Sequence, residues 1–243
     1  MEFRIEWHDR LGSTNAYLRD RFFGDRKLHS GTIVAAREQT AGRGRQDRKW
    51  LSAPGTNLCF SLFIETDAKL MDIPSLTMAA ALAVTEMLNA RNIPASPKWP
   101  NDVLVDGKKI CGILSERIER AEAPKAGIVV GIGLNVNMSI DEAEAIERPA
   151  TSMLIESRHA HDLSQTLKAL FPPLEYWIEK WEQGGFSSIR EAWMEKAGPI
   201  GKPLAVHDGH IKKSGTLAGF GDHGELLLQT ANGIETIWSG DVS

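Results

Sequence analysis

The sequence predicts an α+β fold in which strands and helices are interspersed as far as Ala197, followed by an all-β tail. Three observations carry this. Short β-branched runs alternate apolar and polar residues with period two. Two longer stretches place apolar residues at helical spacing. Beyond Gly198, short strands follow one another with glycine-rich turns between them. The change of texture divides the chain into 1–197 and a small β-barrel domain at 198–243. Apolar residues make up 42% of the 243 and charged residues 25%, an ordinary globular composition. It excludes a disordered tail protein, a collagen-like repeat and a small disulfide-stapled scaffold.

The elements follow in order. Ser13-Thr14-Asn15, ahead of Ala16-Tyr17-Leu18, reads as the N-terminus of a first helix, because such side chains accept from the free N–H groups of a first turn. Thr32 to Ala36 reads as a strand. Asn57 to Glu65 is another, with Leu58, Phe60, Leu62 and Ile64 on one face. Pro74 to Asn92 is helical: Leu76, Ala80, Ala83, Met87 and Leu88 share a face, and Pro74 suits a first turn. Val103–Val105 and Lys109–Glu116 form a hairpin about Asp106-Gly107. Gly127 to Asn137 is an apolar run punctuated by Gly131 and Gly133. A second helical stretch, Leu163 to Trp181, should break near Phe171 because Pro172-Pro173 lies inside it. Ser188 to Glu191 has capping-box spacing before Trp193. Leu204–Val206, Gly215–Phe220, Glu225–Gln229 and Glu235–Trp238 are the strands of the tail.

Lys plus Arg number 28 and Asp plus Glu 32, a net charge of −4. Duplex-DNA binding calls for a basic excess, so the chain is expected to bind no DNA, and any basic site must be local. Cys59 and Cys111 sit in apolar runs and read as buried free thiols of a reducing compartment. The opening Met1-Glu2-Phe3-Arg4 is mixed and not a leader, and no apolar run approaches the roughly 18 residues of a membrane span. The expectation is a soluble, cytoplasmic protein with no membrane partner.

Chemistry concentrates in a few segments. Arg43, Arg45, Arg48 and Lys49 crowd four cations into seven residues, opposed only by Asp47, with Gly42 and Gly44 between them. Those glycines would free the backbone for positive φ and for turning N–H groups toward an anion. Repulsion within the loop predicts that it is mobile when empty and ordered by a phosphate; the plain alternative is a solvated charge run. Lys98-Trp99-Pro100-Asn101-Asp102 offers an apolar wall beside amide and carboxylate groups, or else a turn with a packed tryptophan. Strand alternation puts Lys109 on one face with Cys111 and Ile113, an apolar face where a lysine implies an edge or an anionic partner. Gly131 and Gly133, near Asn135, would let a ligand approach the backbone. Gly219-Phe220-Gly221-Asp222-His223-Gly224 has dinucleotide-binding spacing, but a strand follows it, so it reads as a turn. His159/His161 and His207/His210 read as surface histidines, and no structural metal is expected.

Taken together, these segments resemble the biotin protein ligases. Ser13-Thr14-Asn15, Gln39 through Trp50, Lys98 to Asp102, Lys109 to Glu116 and Gly131 to Asn137 follow the family's order, and the resemblance covers residues 7–243. It implies a mixed-sheet catalytic domain of the biotin/lipoate ligase type with a small C-terminal SH3-like β-barrel. It also implies ATP and Mg2+ as co-substrates and no permanently bound cofactor. Biotin becomes biotinyl-5′-AMP and then passes to a lysine of a biotin carboxyl carrier protein domain of a biotin-dependent carboxylase.

By the same resemblance, biotin is held by Ser13, Thr14, Asn15, Gln39, Arg43, Gly44, Arg45, Lys109, Gly112 and Gly133. The adenylate is held by Arg43, Arg45, Trp50, Trp99, Asn101, Asp102, Lys109 and Asn135. Arg45 and Lys109 are the catalytic residues, and Trp50 and Trp99 would cover the adenylate. Asn101 and Asp102 orient the phosphates, the magnesium or the incoming amine. Asp47 departs from the family loop, which has glycine there, and puts adenylate retention in doubt. Only 12 residues precede Ser13, so the DNA-binding domain of bifunctional members, and with it repressor activity, is expected to be missing. A homodimer through an open sheet edge stays open. The rival readings are a lipoate or octanoate ligase of the same superfamily, and a non-catalytic binder of biotinyl-adenylate.

Overall fold

A computed structural model describes residues 1–24, 28–46, 48–50, 52–120, 125–208 and 211–243. Strand β1 (Arg4–Leu11) is joined by helix α1 (Thr14–Phe23) to β2 (Thr32–Gln39), which runs parallel to it. β3 (Leu58–Thr66) is antiparallel to β2 and leads into α2 (Ile73–Asn89). Then come β4 (Ala95–Lys98), β5 (Asp102–Val105), β6 (Lys108–Ile118) and β7 (Ala126–Leu134), giving a mixed sheet in the order β1-β2-β3-β7-β6-β5-β4. The unexpected strands, β1 and β4, are the two edges. Charged residues in β1 and Pro97 in β4 hide the strand pattern and suit an edge, where half the backbone groups have no strand partner. The β5–β6 turn is as expected, with both Asp106 and Gly107 at positive φ.

Alternation gives the sheet two different faces. Ile33, Leu58, Phe60, Leu62, Ile64, Ile128, Val130 and Ile132 pack with α2 in the main core. On the opposite face Val34, Phe63 and Val129 meet Leu18 and Phe22 of α1, which covers only part of it. The rest of that face carries Gly131, Gly133 and Gly112, and it is here that the cleft opens. Helix α2 with its preceding turn (Leu70–Asn89) has a mean hydropathy of 1.2 and is long and apolar enough to cross a membrane, contrary to expectation; its residues are mostly buried in this core.

Short helices α3 (Ile140–Glu144), α4 (Met153–Ser157) and α5 (Leu163–Ala169) lead to α6 (Phe171–Ala197). Pro172-Pro173 break the helical stretch as expected, by starting α6 instead of interrupting it. The capping box at Ser188 does not form. Its hydroxyl lies within hydrogen-bond distance of the carbonyls of Lys180 and Gly185, 2.6 and 2.8 Å away, because the kink lies earlier, at the non-helical Gly184-Gly185 pair.

The tail is an antiparallel sheet, β11-β10-β9-β8-β12, built from β8 (Pro203–Asp208), β9 (Ile211–Phe220), β10 (Leu226–Thr230), β11 (Gly233–Ile237) and β12 (Asp241–Val242). Its end strands β11 and β12 do not pair, so among the described residues the barrel is an open sheet. Leu204, Val206, Leu217, Phe220, Leu226, Leu228 and Ile237 join the same core as α2 and α6. The glycine-patterned segment at 219–224 is indeed the β9–β10 turn. It is wedged against α2: a Cβ on Gly224 would lie 2.6 Å from Met78 Sδ.

Candidate active site

Of the residues that the resemblance assigns to biotin or the adenylate, all but Trp99 line one cleft of about 640 Å³, a size that suits a small-molecule substrate. Trp99 is buried and its indole N–H donates to the Gly224 carbonyl at 3.0 Å. It ties the two sheets together and covers nothing in the cleft, which corrects the expectation drawn from the Trp-Pro pair. Asp47 and His210 lie outside the described residues.

Neutral polar side chains line the closed end of the cleft. Ser13 caps α1, accepting from the Ala16 N–H, and so delivers Thr14 and Asn15 onto the sheet. Gln39, at the end of β2, accepts from the Thr14 N–H at 2.8 Å through Oε1. Ser61, fully buried on β3, touches Thr14 Oγ1 at 2.6 Å and Asn15 Oδ1 at 2.5 Å. Asn15 fits only because residue 131 has no side chain: a Cβ there would lie 2.2 Å from Oδ1. Gly133 and Gly112, paired across β7 and β6, form a bare strip on which the Trp50 ring rests; Cβ atoms there would lie 2.4 and 3.0 Å from it. Below the strip, burial pushes the Cys59 thiol up to about 11 and raises that of Cys111 further, so both are the buried free thiols expected.

The other end is cationic. A bulge in β6 leaves Ile110 without a partner on β5, since Leu104 pairs Lys109 and Val103 pairs Cys111. The extra residue breaks the alternation, so Lys109 does not share the face of Cys111. Its ammonium lies over Gly112 on the cleft side, 5.7 Å from the Trp50 ring centroid. There it pairs with Asp102 at 2.6 Å. Asn135 braces this position, its amide donating to the carbonyls of Lys109 and Thr151. Arg45 donates to Asn101 Oδ1 at 3.1 Å and to the Gly240 carbonyl at 3.3 Å, while Asn101 donates to the Ile113 carbonyl.

The loop carrying Arg45 is held as a small hairpin, with Trp50 N–H on the Gly42 carbonyl and Gly44 N–H on that of Arg48. Neither Gly42 nor Gly44 has positive φ; Gln46 does. Gly42 is needed for space instead, because a Cβ would lie 2.8 Å from the Trp50 carbonyl oxygen. The loop's charges are opposed from across the fold. Asp241 of the tail meets Arg48 at 2.6 Å and Arg148 at 3.0 Å, and Glu116 lies 3.7 Å from Arg43. Burial works to raise the Asp241 carboxyl, but the two arginines hold it at about 2. Ser61, Glu116, Arg148 and Asp241 were not singled out from the sequence. The one local signal was Ser61, a polar residue in the apolar run Leu58–Phe63.

The fold is that of the biotin/lipoate A/B protein ligases: residues 7–135 match the Biotin/lipoate A/B protein ligase family, and residues 200–243 match the Biotin protein ligase C terminal domain. The chain is 35% identical over 214 residues to the bifunctional ligase/repressor BirA of Bacillus spizizenii, covering 87% of this chain and 66% of that protein. It is 35% identical over 221 residues to the biotin–[acetyl-CoA-carboxylase] ligase of Paracoccus denitrificans, covering 88% and 91%. The structure of the Aquifex aeolicus biotin protein ligase in complex with biotin and ATP superposes with a TM-score of 0.82 at 30% identity, over 98% of this chain and 97% of that one. The chain belongs to this family, as a biotin protein ligase.

Proposed function

We propose that the chain activates biotin with MgATP as biotinyl-5′-AMP, releasing pyrophosphate, and then passes the acyl group to a lysine amine of a biotin carboxyl carrier protein domain. One observation carries this reading: a single cleft runs from a neutral, hydrogen-bonding end at Thr14 and Gln39 to a cationic end at Lys109 and Arg45. Biotin has the matching polarity, with a neutral ureido ring at one end and a carboxylate at the other.

In the first step a biotin carboxylate oxygen attacks the α-phosphorus and the bond to the pyrophosphate oxygen breaks. Repulsion between the two anions is the obstacle. Lys109 and Arg45 stand where that charge develops, and phosphate oxygens would replace Asp102 and the Gly240 carbonyl as their partners. In the second step the carrier amine attacks the acyl carbon, AMP leaves with the bonding pair, and the amine loses a proton. No nucleophile on the enzyme is required. Trp50, lying on the glycine strip, is suited to exclude water from the mixed anhydride. Asn101 and Asp102 orient the groups around Lys109, and Asn135 acts through the Lys109 backbone. Residues 1–197 form the catalytic domain and 198–243 the C-terminal domain, and the enzyme works in the cytoplasm.

Mass spectrometry of a carrier domain incubated with the chain and MgATP tests this, with biotin, lipoate or octanoate in parallel. A mass gain with biotin alone is expected, slowed about 10²–10³-fold in Lys109→Ala. A gain with lipoate or octanoate instead, or no gain with any acid, overturns the reading.

A further inference from the structure

At the closed end of the cleft four side chains form one line of hydrogen bonds, and their donor inventory gives the line a direction. It starts at Glu116 on β6, whose carboxylate accepts only. Asn15 turns Nδ2 to it at 2.6 Å, and the same nitrogen lies 3.3 Å from the Leu114 carbonyl oxygen. That settles the amide orientation, so Oδ1, with no proton to give, faces Ser61 Oγ at 2.5 Å. The single Ser61 proton is therefore committed to Asn15. Ser61 Oγ is also 2.6 Å from Thr14 Oγ1, a contact that holds only if the Thr14 proton bridges it. Were Thr14 to donate to Gln39 Oε1 at 3.1 Å, bare lone pairs would oppose one another across 2.5 or 2.6 Å, a far worse clash than across 3.1 Å. Gln39 Oε1 is held by the Thr14 backbone N–H instead, which leaves its amide N–H groups as donors.

Thr14 Oγ1 thus turns only lone pairs to the cleft, and Gln39 offers N–H. We propose that Glu116 and Ser61 are positioning residues that impose this proton order, so that Thr14 meets the bound acid as an acceptor only and the site selects a ring bearing N–H beside a carbonyl. The charge at Glu116 is felt three bonds away because Ser61 is fully buried and Asn15 nearly so, where water cannot reorder the hydroxyls. The proposal rests on the biotin reading above, whose ureido ring has that pattern.

The test is calorimetric titration of the full chain with biotin and with its two cyclic carbamates, in which one or the other ureido N–H is replaced by oxygen. The wild type is expected to bind biotin and to reject one carbamate far more strongly than the other. Glu116→Gln lets the residue at 116 present either end of an amide to Asn15, so the line can reverse. Biotin should weaken about tenfold, and the preference between the carbamates should shrink by about tenfold. Ser61→Ala, which cuts the line, should do the same; Glu116 is partly exposed, so its variant remains informative even if Ser61→Ala does not fold. Equal weakening of biotin and both carbamates, with the preference intact, would mean a merely structural role and overturn the proposal. A wild type that binds no biotin overturns the underlying reading and the proposal with it.

Discussion

The closed end of the cleft and its mouth recruit their partners differently. At the closed end Thr14, Asn15 and Ser61 are neutral, buried and hydrogen-bonded in one line, so the geometry that meets a ligand exists beforehand. At the mouth Arg45, Arg48, Lys109 and Arg148 are charged and partly exposed, and each already holds an oxygen of the protein that an incoming anion would have to displace. A pre-formed neutral site discriminates well, because a mismatched ligand leaves buried groups unpaired. A site of exchangeable ion pairs discriminates less, and its affinity depends on how strongly the internal anion competes.

The difference is broken most severely from the neutral side. Gly131→Ala places a Cβ where Asn15 Oδ1 lies, so Asn15 must leave both Ser61 and Glu116. Loss of two hydrogen bonds should cost biotin about 100-fold in affinity by calorimetry, with MgATP binding unchanged. At the mouth, Asp241→Asn removes the competing anion and should lower the KM for ATP about fivefold while biotin affinity stays put. The same variant sharpens a pH effect. The folded Asp241 pKa, about 2, lies below its ordinary 3.8, so its contribution to stability is full above about pH 4 and is lost as pH falls toward 2. Thermal scans across that window should therefore fall more steeply for the wild type than for the variant. The smallest effect belongs to a residue outside both ends. Trp99→Phe leaves the Gly224 carbonyl without its donor, which should cost about 1 kcal/mol and lower the melting midpoint by about 3 °C without changing KM for either substrate.

Much of the cleft was legible in the sequence because its parts are local. Ser13 to Asn15 is a helix start, Asp106-Gly107 a hairpin turn, and Gly131 and Gly133 interruptions in a strand; each carries its physical reason within a few residues. What was not legible depends on contacts between distant segments. Asp241 and Arg148 meet from 93 positions apart, and nothing near either one announces the other. The bulge at Ile110 is invisible to a period-two reading, yet it decides which face Lys109 occupies. Trp99 sits in a motif rich in polar groups, but its own indole turns toward the tail. The edge strand β1 escaped notice because its one neighbour asks for no alternation of apolar residues.

The continuity of the core across the two sheets bears on how the chain is made. Trp193 and Phe186 of α6 are covered in part by Phe220 of the tail, and Arg190 clasps the Phe220 carbonyl at 2.6 Å. A nascent chain that has emerged only as far as α6 therefore carries every strand of the large sheet and still shows two large aromatic side chains to water. The ribosome must add the tail before that surface is sealed. Between those two moments the chain is a client for whatever binds exposed apolar surface, and slow translation of the segment after Ala197 would lengthen that exposure.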